Sequence, residues 1–548
     1  MPSLSYDHGV SATPLLGQTI GDNLGCTARR FPEREAVVIR PQNRRLTYSQ
    51  LWNEVTECAR GLLALSVQKG DRVGIWAPNR YEWLVVQYAT ARIGAILVNV
   101  NPAYQEPELE YVLQQAGISV LIHAERFRNT DYTAIVQRVR PHCVHLKHVI
   151  QLEKDWAELH QSRQVTMEEL EAREALLHFD DPINIQYTSG TTGFPKGATL
   201  THHNLLNNAY STGALLGYSE LDRVCVPVPF YHCFGMVLGN LACTAYGACI
   251  VVPSEAFQAR AVLETVDAEK CTSLYGVPTM FRTMLEDPEF DRFNVSSLRT
   301  GIMAGAPCPI ELMQEVMVKL HMPEIVIGYG MTETSPISTM SLRNDAMEKR
   351  VSSVGKVIPH CEISVRDTEN RVVPRGIAGE FCTRGHSVMR GYWNNDEATQ
   401  KSIDDAGWMH SGDLAVMEED GYVRIVGRLK DMIIRGGENI YPAEIEAVLH
   451  AHPHISEAHI VGVPSRKYGE EVMAWIRTRP ETSIEVSELQ KYCQSRMASF
   501  KVPKFWQLVE AFPQTVTGKV QKYRLREMAI ELLGKEGDAR RRLNSEYR

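Results

Sequence analysis

The sequence predicts an α/β protein with a large N-terminal domain, in which helices cover parallel-rich sheets, and a small α+β C-terminal domain. Its 548 residues exceed what one hydrophobic core usually supports, which is about 250–300 residues. Apolar strands alternate with amphipathic helices from Glu35 to Tyr329, and short strands and turns follow from Gly355 onward. A second alternation begins after Asp431. The N-terminal domain therefore carries a β-rich subdomain at its end.

The first elements follow from local patterns. Glu35–Arg40 and Arg45–Thr47 predict a hairpin, and Thr47 with Gln50 three residues later predicts a capping box at a helix start. The segments that follow predict a mostly parallel sheet with covered faces. They are the strands Arg72–Ala77, Ala95–Val100, Val120–Ala124 and His148–Leu152, and the helices Tyr81–Ile93, Glu108–Ala116 and Tyr132–Arg138.

Several later strands end in small or polar residues. A helix is predicted at Thr201–Leu216, and strands are predicted at Arg223–Pro229, Arg299–Gly305 and Ile325–Tyr329. In open α/β sheets the ligand lies at the carboxyl ends of the strands, so these ends are expected to line a binding site.

The C-terminal domain is predicted to begin at residue 431. Gly427–Asp431 has the composition of a boundary, which gives an N-terminal domain of residues 1–427. Residues 431–548 could form their own core from the segments Ala443–His452, His459–Gly462, Val472–Arg477 and Val486–Met497.

Composition and charge narrow the classes of function. The net charge of −8 argues against nucleic-acid binding, which basic surfaces drive. The twelve cysteines form no C-x-x-C pair, which indicates reduced thiols in a cytoplasmic protein. The segment Val224–Pro253 has no charged residue and is long enough for a membrane span. Its prolines and glycines favour a buried strand, turn and helix instead, so no transmembrane span is expected.

One loop between two predicted strands carries the strongest signal. Ile183–Tyr187 alternates apolar and polar residues, as a strand does, and Thr188 to Gly197 then place three glycines and four hydroxyl residues around Lys196. Glycines let backbone N–H groups approach an anion, and the lysine adds a mobile charge. The loop is not the P-loop pattern, because Gly197 stands where Ser or Thr should follow the lysine. It predicts a triphosphate-binding loop, with a mobile surface turn as the alternative.

This loop resembles the signature loop of the adenylate-forming superfamily, which comprises acyl-CoA synthetases, adenylation domains of peptide synthetases and beetle luciferases. Further motifs follow in the family order along nearly the whole chain. The resemblance implies an N-terminal domain that binds ATP and a carboxylic acid, and a mobile C-terminal domain that closes over them.

The resemblance implies a nucleotide site in the N-terminal domain. The adenine would lie along the small residues Gly305, Ala306 and Pro307, and Glu333 would hold Mg²⁺, a hard cation that prefers oxygen ligands. The core motif Tyr329, Gly330, Met331 and Thr332 would contact adenine and the α-phosphate. The β- and γ-phosphates would be held by Thr188, Ser189, Gly190, Thr191, Thr192, Gly193, Phe194, Pro195 and Lys196.

Further roles are implied for residues near and beyond the boundary. Asp413 would accept both ribose hydroxyls, and Arg428 would contact ribose or phosphate. Lys519 would stabilise the charge that builds up when the carboxylate attacks the α-phosphate. Residues 428–430 would form the hinge, centred on Lys430, that exchanges Lys519 for a glycine loop containing Gly436 and Gly437. That loop would pass beside the pantetheine arm of coenzyme A.

The resemblance therefore predicts an AMP-forming acyl-CoA synthetase. The sequence as a whole is most similar to the medium-chain fatty-acyl-CoA synthetases. His232 would lie beside the substrate carboxylate, and the uncharged 224–253 segment suits a medium- or long-chain aliphatic acid. Gly239, Tyr275 and Met303 are candidate tunnel neighbours, with simple core packing as the alternative. The predicted ligands are a carboxylic acid, ATP, Mg²⁺ and coenzyme A.

Alternatives remain open. The same fold serves aryl-acid CoA ligases, ligases that load a carrier protein supplied in trans, and luciferase-like oxygenases. A different class is a catalytically inactive nucleotide-binding regulatory protein, and intact Lys196, Glu333, Asp413, Arg428 and Lys519 argue against it. The sequence leaves open whether the chain forms a homodimer.

Overall fold

The computed structural model describes residues 3–161, 164–188, 195–436, 438–465, 467–480, 482, 484–514 and 520–546. The chain forms two compact units. The larger unit holds Tyr6–Ser364 and Cys382–Ser411, and the smaller unit holds Met1–Ser5, Val365–Phe381 and Gly412–Arg548. The chain passes from one unit to the other within the strands Cys361–Arg366, Ala378–Gly385 and Met409–Met417. A domain boundary at residues 427–431, with a hinge at 428–430, stays a prediction, because compactness does not report where a chain bends.

One sheet of the larger unit carries the strands that flank the predicted phosphate loop. Its inner strands are parallel, and Pro182–Thr188 pairs antiparallel with Lys196–Thr201, which pairs antiparallel with Gly391–Tyr392. The strand order is Gly391–Tyr392, Lys196–Thr201, Pro182–Thr188, Ile96–Asn99, Arg72–Trp76, Ile118–His123 and His148–Gln151.

The other large sheet of this unit is parallel in its centre and antiparallel at both edges. Its strand order is Lys356–Val357, Ile337–Met340, Glu324–Gly330, Thr300–Ala304, Ser273–Gly276, Arg223–Cys225, Cys249–Val252, Glu35–Ile39 and Arg44–Thr47. A hairpin pairs Arg126–Phe127 with Thr130–Asp131, and Tyr6–His8 pairs antiparallel with residues 362–364.

Helices cover these sheets, and several of them begin at a residue whose side chain caps the helix. Thr47 caps Tyr48–Ala64 by the predicted capping box with Gln50, and Thr201 caps His202–Leu216 in the same way. The remaining α-helices of the larger unit are Ile20–Arg30, Tyr81–Ile93, Glu106–Ala116, Tyr132–Val139, Leu152–Gln161, Met167–Glu174, Ala242–Tyr246, Ala259–Glu269, Pro278–Leu285, Ile310–Lys319, Met347–Ser352 and Asp396–Ser402.

The core of the larger unit divides across the second sheet, because alternate side chains of a strand point to opposite faces. Tyr275 and Ile302 are paired in register and pack in the main core. Their neighbours Leu274 and Met303 pack on the other face with the helices Ala259–Glu269 and Ile310–Lys319. Tyr275 and Met303 therefore cannot line one tunnel from the same face of this sheet.

The smaller unit contains its own sheet and cores. Ile455–Ser465 and Gly469–Thr478 form a long antiparallel pair. Phe505–Leu508 pairs in parallel with Gly469–Thr478, and Ile433–Arg435 pairs antiparallel with the start of that same strand and with Glu438–Ile440. The helices Pro442–His450, Val486–Gln494 and Lys522–Glu546 belong to this unit. Separate apolar clusters, one around Ile460 and one around Trp475, form the core here.

The α/β class predicted from the sequence is confirmed, and most predicted elements lie within two residues of their observed bounds. The uncharged segment 224–253 is buried, as expected, but its central helix Phe234–Leu241 is a π-helix. Within the residues that the structure describes, no helix is long and apolar enough to cross a membrane.

Candidate active site

The two strands that flank the phosphate loop place its ends side by side. Thr188 and Lys196 are direct partners in the antiparallel pair, and the Thr188 hydroxyl oxygen lies 3.4 Å from the Lys196 carbonyl oxygen. The Tyr111 hydroxyl donates to the carbonyl of Pro195 at 3.1 Å and holds the second end. Ser189–Phe194, the middle of the predicted loop, lie outside the described residues.

A cavity of about 210 Å³ lies next to this end of the loop. Lys196, Tyr111, Gln115 and Trp393 are among the residues that line it. Gln115 holds the residues of the cavity wall in place. Its side-chain amide donates to the Trp393 carbonyl at 2.8 Å, and its side-chain carbonyl accepts from the Tyr187 hydroxyl.

The core motif turns sharply at the end of the strand Glu324–Gly330. A Cβ at Gly330 would overlap the Pro336 carbonyl oxygen, so only glycine fits this position. The Met331 N–H donates to the same Pro336 carbonyl at 2.9 Å and closes the turn. The short 3₁₀ helix Thr332–Thr334 follows and directs Glu333 inward, where it is 5 % exposed.

The Glu333 carboxylate meets the first strand of the phosphate loop. Its Oε1 accepts a hydrogen bond from the Thr188 hydroxyl at 3.2 Å and a second from the Tyr392 hydroxyl at 2.8 Å. Thr188 and Lys196 of the predicted phosphate loop are thus brought together with Glu333 of the core motif in the larger unit.

Tyr392 is the residue of this cluster that sequence reasoning missed. Its ring lies under the Lys196 ammonium, which is 5.1 Å from the ring centroid. Burial raises the pKa of Tyr392, and the Glu333 carboxylate raises it further, so the phenol stays protonated and donates. A Gly-Tyr-Trp run before a polar turn was the available signal, but it does not indicate a contact with residue 333.

The predicted adenine strand ends at the same sheet edge as the core motif. Thr300–Ala304 and Glu324–Gly330 are parallel, and Ala304 is in register with Gly328. Gly305 follows with φ of +84°, a left-handed conformation that favours glycine. Ala306 and Pro307 continue from it, and Tyr329 stands one residue beyond Gly328, so both predicted segments leave the sheet at its carboxyl edge.

His232 lies within the uncharged segment, two residues before its π-helix Phe234–Leu241. Its carbonyl accepts from the Met236 N–H at 2.9 Å, and its ring centroid is 4.1 Å from that of Tyr231. The π-helix then packs closely, because a Cβ at Gly239 would stand 2.8 Å from Val226. His232 is half-buried, whereas the helix residues Gly235–Leu241 are fully buried.

The predicted ribose-binding residues form an ion pair in the smaller unit. Asp413 and Arg428 are partners in an antiparallel strand pair, and Arg428 Nε lies 3.2 Å from Asp413 Oδ1. Lys430 follows in the 3₁₀ helix Leu429–Asp431. Burial lowers the pKa of Lys430, and the positive charge of Arg428 lowers it further.

The remaining predicted residues also belong to the smaller unit. Gly436 has φ of +60° in the turn between Ile433–Arg435 and Glu438–Ile440, and its N–H donates to the Tyr468 carbonyl at 2.8 Å. Gly437 lies outside the described residues. So does Lys519, although Gln514 and Val520 on either side of that stretch form an antiparallel bridge.

The fold and this set of side chains define a class of α/β enzyme with a lysine-bearing loop and a buried carboxylate at the carboxyl edge of its sheets. Comparison with known families gives the particular one. The profile described as AMP-binding enzyme matches residues 26–393, and that described as AMP-binding enzyme C-terminal domain matches residues 444–519. The chain belongs to the AMP-binding enzyme family.

Similar proteins align with this chain over nearly its whole length. YngI of Bacillus subtilis (strain 168), whose name assigns it provisionally to the acyl-CoA synthetases, is 46 % identical over 94 % of this chain and 98 % of its own. The mitochondrial medium-chain acyl-CoA ligase ACSF2 of Danio rerio is 42 % identical over 97 % of this chain and 91 % of its own. The crystal structure of the anthranilate CoA ligase AuaEII with anthranoyl-AMP superposes with a TM-score of 0.84, at 26 % identity, over 95 % of this chain and 99 % of that one.

Proposed function

We propose that this protein is an AMP-forming acyl-CoA synthetase that activates an aliphatic carboxylic acid through an acyl-adenylate. The observation that carries the proposal is the cluster of Thr188, Lys196 and Glu333, in which a loop lysine and a buried carboxylate meet at the strand ends. Membership of the AMP-binding enzyme family supports it, as do relatives named as acyl-CoA synthetase and medium-chain acyl-CoA ligase.

In the first step a carboxylate oxygen attacks the α-phosphorus of ATP, and pyrophosphate leaves. Lys196 would bind the outgoing phosphates, because its ammonium makes no ion pair with any residue of the described chain. Lys519 would stabilise the charge that develops between the two anions, where a positioned cation acts more strongly in the transition state than in the ground state. His232 would orient the acid.

Glu333 fits a divalent cation. Its Oε1 accepts from two neutral hydroxyls, and within the described residues no cationic side chain pairs with the carboxylate. Mg²⁺ prefers such oxygen ligands and usually binds through one or two carboxylates together with substrate phosphates. When bound, it would neutralise phosphate charge.

The nucleoside would be held by residues from several strand ends. Asp413 would accept the ribose hydroxyls, and Arg428, at 3.2 Å, fixes the carboxylate that does so. The adenine would lie along Gly305, Ala306 and Pro307, where small residues let a flat base approach the backbone. Tyr329 and Thr332 would contact the base and the α-phosphate.

In the second step the sulfur of coenzyme A attacks the acyl carbon, its thiol proton is released, and AMP leaves. Rotation at Lys430 would bring the turn containing Gly436 and Gly437 toward the site in place of Lys519. Gly436, whose φ is +60°, carries no side chain, which would let the pantetheine arm pass close to the backbone.

The acid is proposed to be a medium- or long-chain aliphatic acid. The uncharged segment 224–253 supports this, because an apolar wall favours an alkyl chain. An aryl acid is the second candidate, since the similar structure AuaEII is an anthranilate CoA ligase.

A cytoplasmic setting agrees with twelve free cysteines, of which Cys26 alone is exposed. Whether two copies associate as a homodimer stays open to a mass measurement in solution.

Carboxylate-dependent exchange between pyrophosphate and ATP, measured without coenzyme A, tests the proposal. Exchange with octanoate or a longer fatty acid is expected, and exchange confined to benzoate or anthranilate would move the assignment to an aryl-acid ligase. ATP binding without exchange for any acid of either series would contradict the proposal and favour the inactive regulatory protein.

A further inference from the structure

Tyr392 contacts both charged residues of the candidate phosphate site, and it uses a different part of its side chain for each. Its hydroxyl donates to Glu333 Oε1 at 2.8 Å, and its ring face lies 5.1 Å from the Lys196 ammonium. The side chain is 9 % exposed. A buried tyrosine thus lies between a cation and an anion of the same site.

The backbone around Tyr392 is attached to the elements that carry these two residues. The Met389 N–H donates to the Glu333 carbonyl at 2.9 Å, and the Trp393 N–H donates to the Gly197 carbonyl at 2.7 Å. Tyr392 is itself in register with Ala198 in the strand that begins at Lys196. The segment from Met389 to Trp393 therefore fixes Tyr392 relative to both the core motif and the phosphate-loop strand.

Glu333 is buried and Lys196 is half-buried, so opposite charges here attract more strongly than in water, because the effective dielectric constant is lower. Lys196 and Glu333 nevertheless form no ion pair in the described chain. Tyr392 gives each charge a neutral partner: a hydroxyl donor for the carboxylate and a ring face for the ammonium. Neither partner neutralises the charge, so both remain available to a ligand.

We propose that Tyr392 is a positioning residue that keeps Glu333 and Lys196 from pairing with each other and so preserves a site for magnesium and ATP. The proposal rests on the proposed function for the identity of the ligand. Tyr392 acts through Glu333 and Lys196.

Y392F separates the two contacts, because it removes the hydroxyl and retains the ring under Lys196. Hydrogen bonds to charged groups are worth enough to change an equilibrium about tenfold. We expect the free Mg²⁺ concentration that half-saturates ATP binding to rise about tenfold, measured by calorimetry in the absence of any acid. ATP affinity at saturating Mg²⁺ should stay within about twofold of wild type, because the ring contact remains.

Y392L removes both contacts. It should raise the Mg²⁺ requirement as Y392F does, and in addition weaken ATP binding at saturating Mg²⁺ by about fivefold. In the background of E333Q, which keeps an oxygen acceptor without the charge, Y392F should change the Mg²⁺ requirement little, because the two residues act as one unit.

Y48F is the matched control, since it removes another buried tyrosine hydroxyl, one that donates to the Ala248 carbonyl at 2.7 Å away from this site. Y48F should lose about as much free energy of unfolding in urea as Y392F does. It should leave the Mg²⁺ concentration that half-saturates ATP binding at its wild-type value. An unchanged or lowered Mg²⁺ requirement in Y392F would overturn the proposal, because the hydroxyl would then compete with the cation. The calorimetric experiment needs no carboxylic acid. It therefore tests the role of Tyr392 in Mg²⁺ and ATP binding even if the wild-type protein shows no pyrophosphate exchange with any acid.

Discussion

His202 makes the stability of the larger unit dependent on pH. It is completely buried at the start of the helix His202–Leu216, directly after the strand that carries Lys196. Its Nδ1 accepts the Ile20 N–H at 3.1 Å, which requires an unprotonated ring nitrogen. Burial lowers the pKa of His202 from 6.5 to about 4, and Asp181 and Asp22 offset part of this fall.

This lowered pKa destabilises the fold in acid. Between pH 6.5 and about 4 the unfolded chain binds a proton that the folded chain does not, so stability is complete above this range and falls as pH decreases through it. The gap between the two pKa values corresponds to about 3 kcal/mol in total. About 2 kcal/mol of this is lost between pH 7 and pH 5, before most carboxylates begin to titrate.

H202N removes the titration and keeps a side-chain oxygen where Nδ1 accepts from Ile20. Amide hydrogen exchange of the helix His202–Leu216, corrected for intrinsic rates, reports its local stability. From pH 7 to pH 5 wild-type protection should fall about 30-fold more than that of the variant. H145N, at an exposed histidine, controls for the substitution. Equal losses in wild type and H202N would refute the assignment of a neutral, buried imidazole.

Three further predictions concern the turn and the proposed catalytic cycle. G330A should lower the free energy of unfolding, measured by urea denaturation, by about 3 kcal/mol. G17A is the control and should leave this free energy unchanged, because its added Cβ would meet nothing within 4 Å. Equal stability of the two variants would contradict the tight turn at Gly330. K519A should slow adenylate formation by about 10²–10³-fold but spare thioester formation from supplied acyl-adenylate, and equal loss of both would remove the assigned role. K430P fixes φ and should impair mainly the second step, so normal overall turnover would place the hinge elsewhere.

Much of the fold could be predicted because its signals are local. The capping box at Thr47 and the helix Tyr81–Ile93 depend on residues three or four positions apart, and the structure confirms both. The π-helix Phe234–Leu241 could not be predicted, because its sequence is apolar except for Asn240 and has no amphipathic period to count. Its packing against Val226 through Gly239 depends on the tertiary fold.

The site was predictable to the extent that its residues lie in short motifs. Lys196 and Glu333 were each marked by neighbours in sequence, whereas their strands belong to different sheets and are linked by side-chain contacts of Thr188 and Tyr392. Tyr392 lies 59 residues after Glu333 and acquires its contacts only when Gly391–Tyr392 pairs with the strand from Lys196. A residue whose function depends on two distant partners leaves no local pattern.

The face to which a strand residue points decides which side chains could shape the acid site. Tyr275 and Met303 were both candidate tunnel neighbours, with core packing as the alternative, yet their side chains lie on opposite faces of one sheet. The Tyr275 hydroxyl donates to the Leu238 carbonyl at 3.0 Å, within the π-helix that follows His232. Met303 packs instead among residues that include Leu312 and Met317 of the helix Ile310–Lys319. Because a one-residue shift reverses the face, Tyr275 remains a tunnel candidate, whereas Met303 belongs to the core behind the sheet.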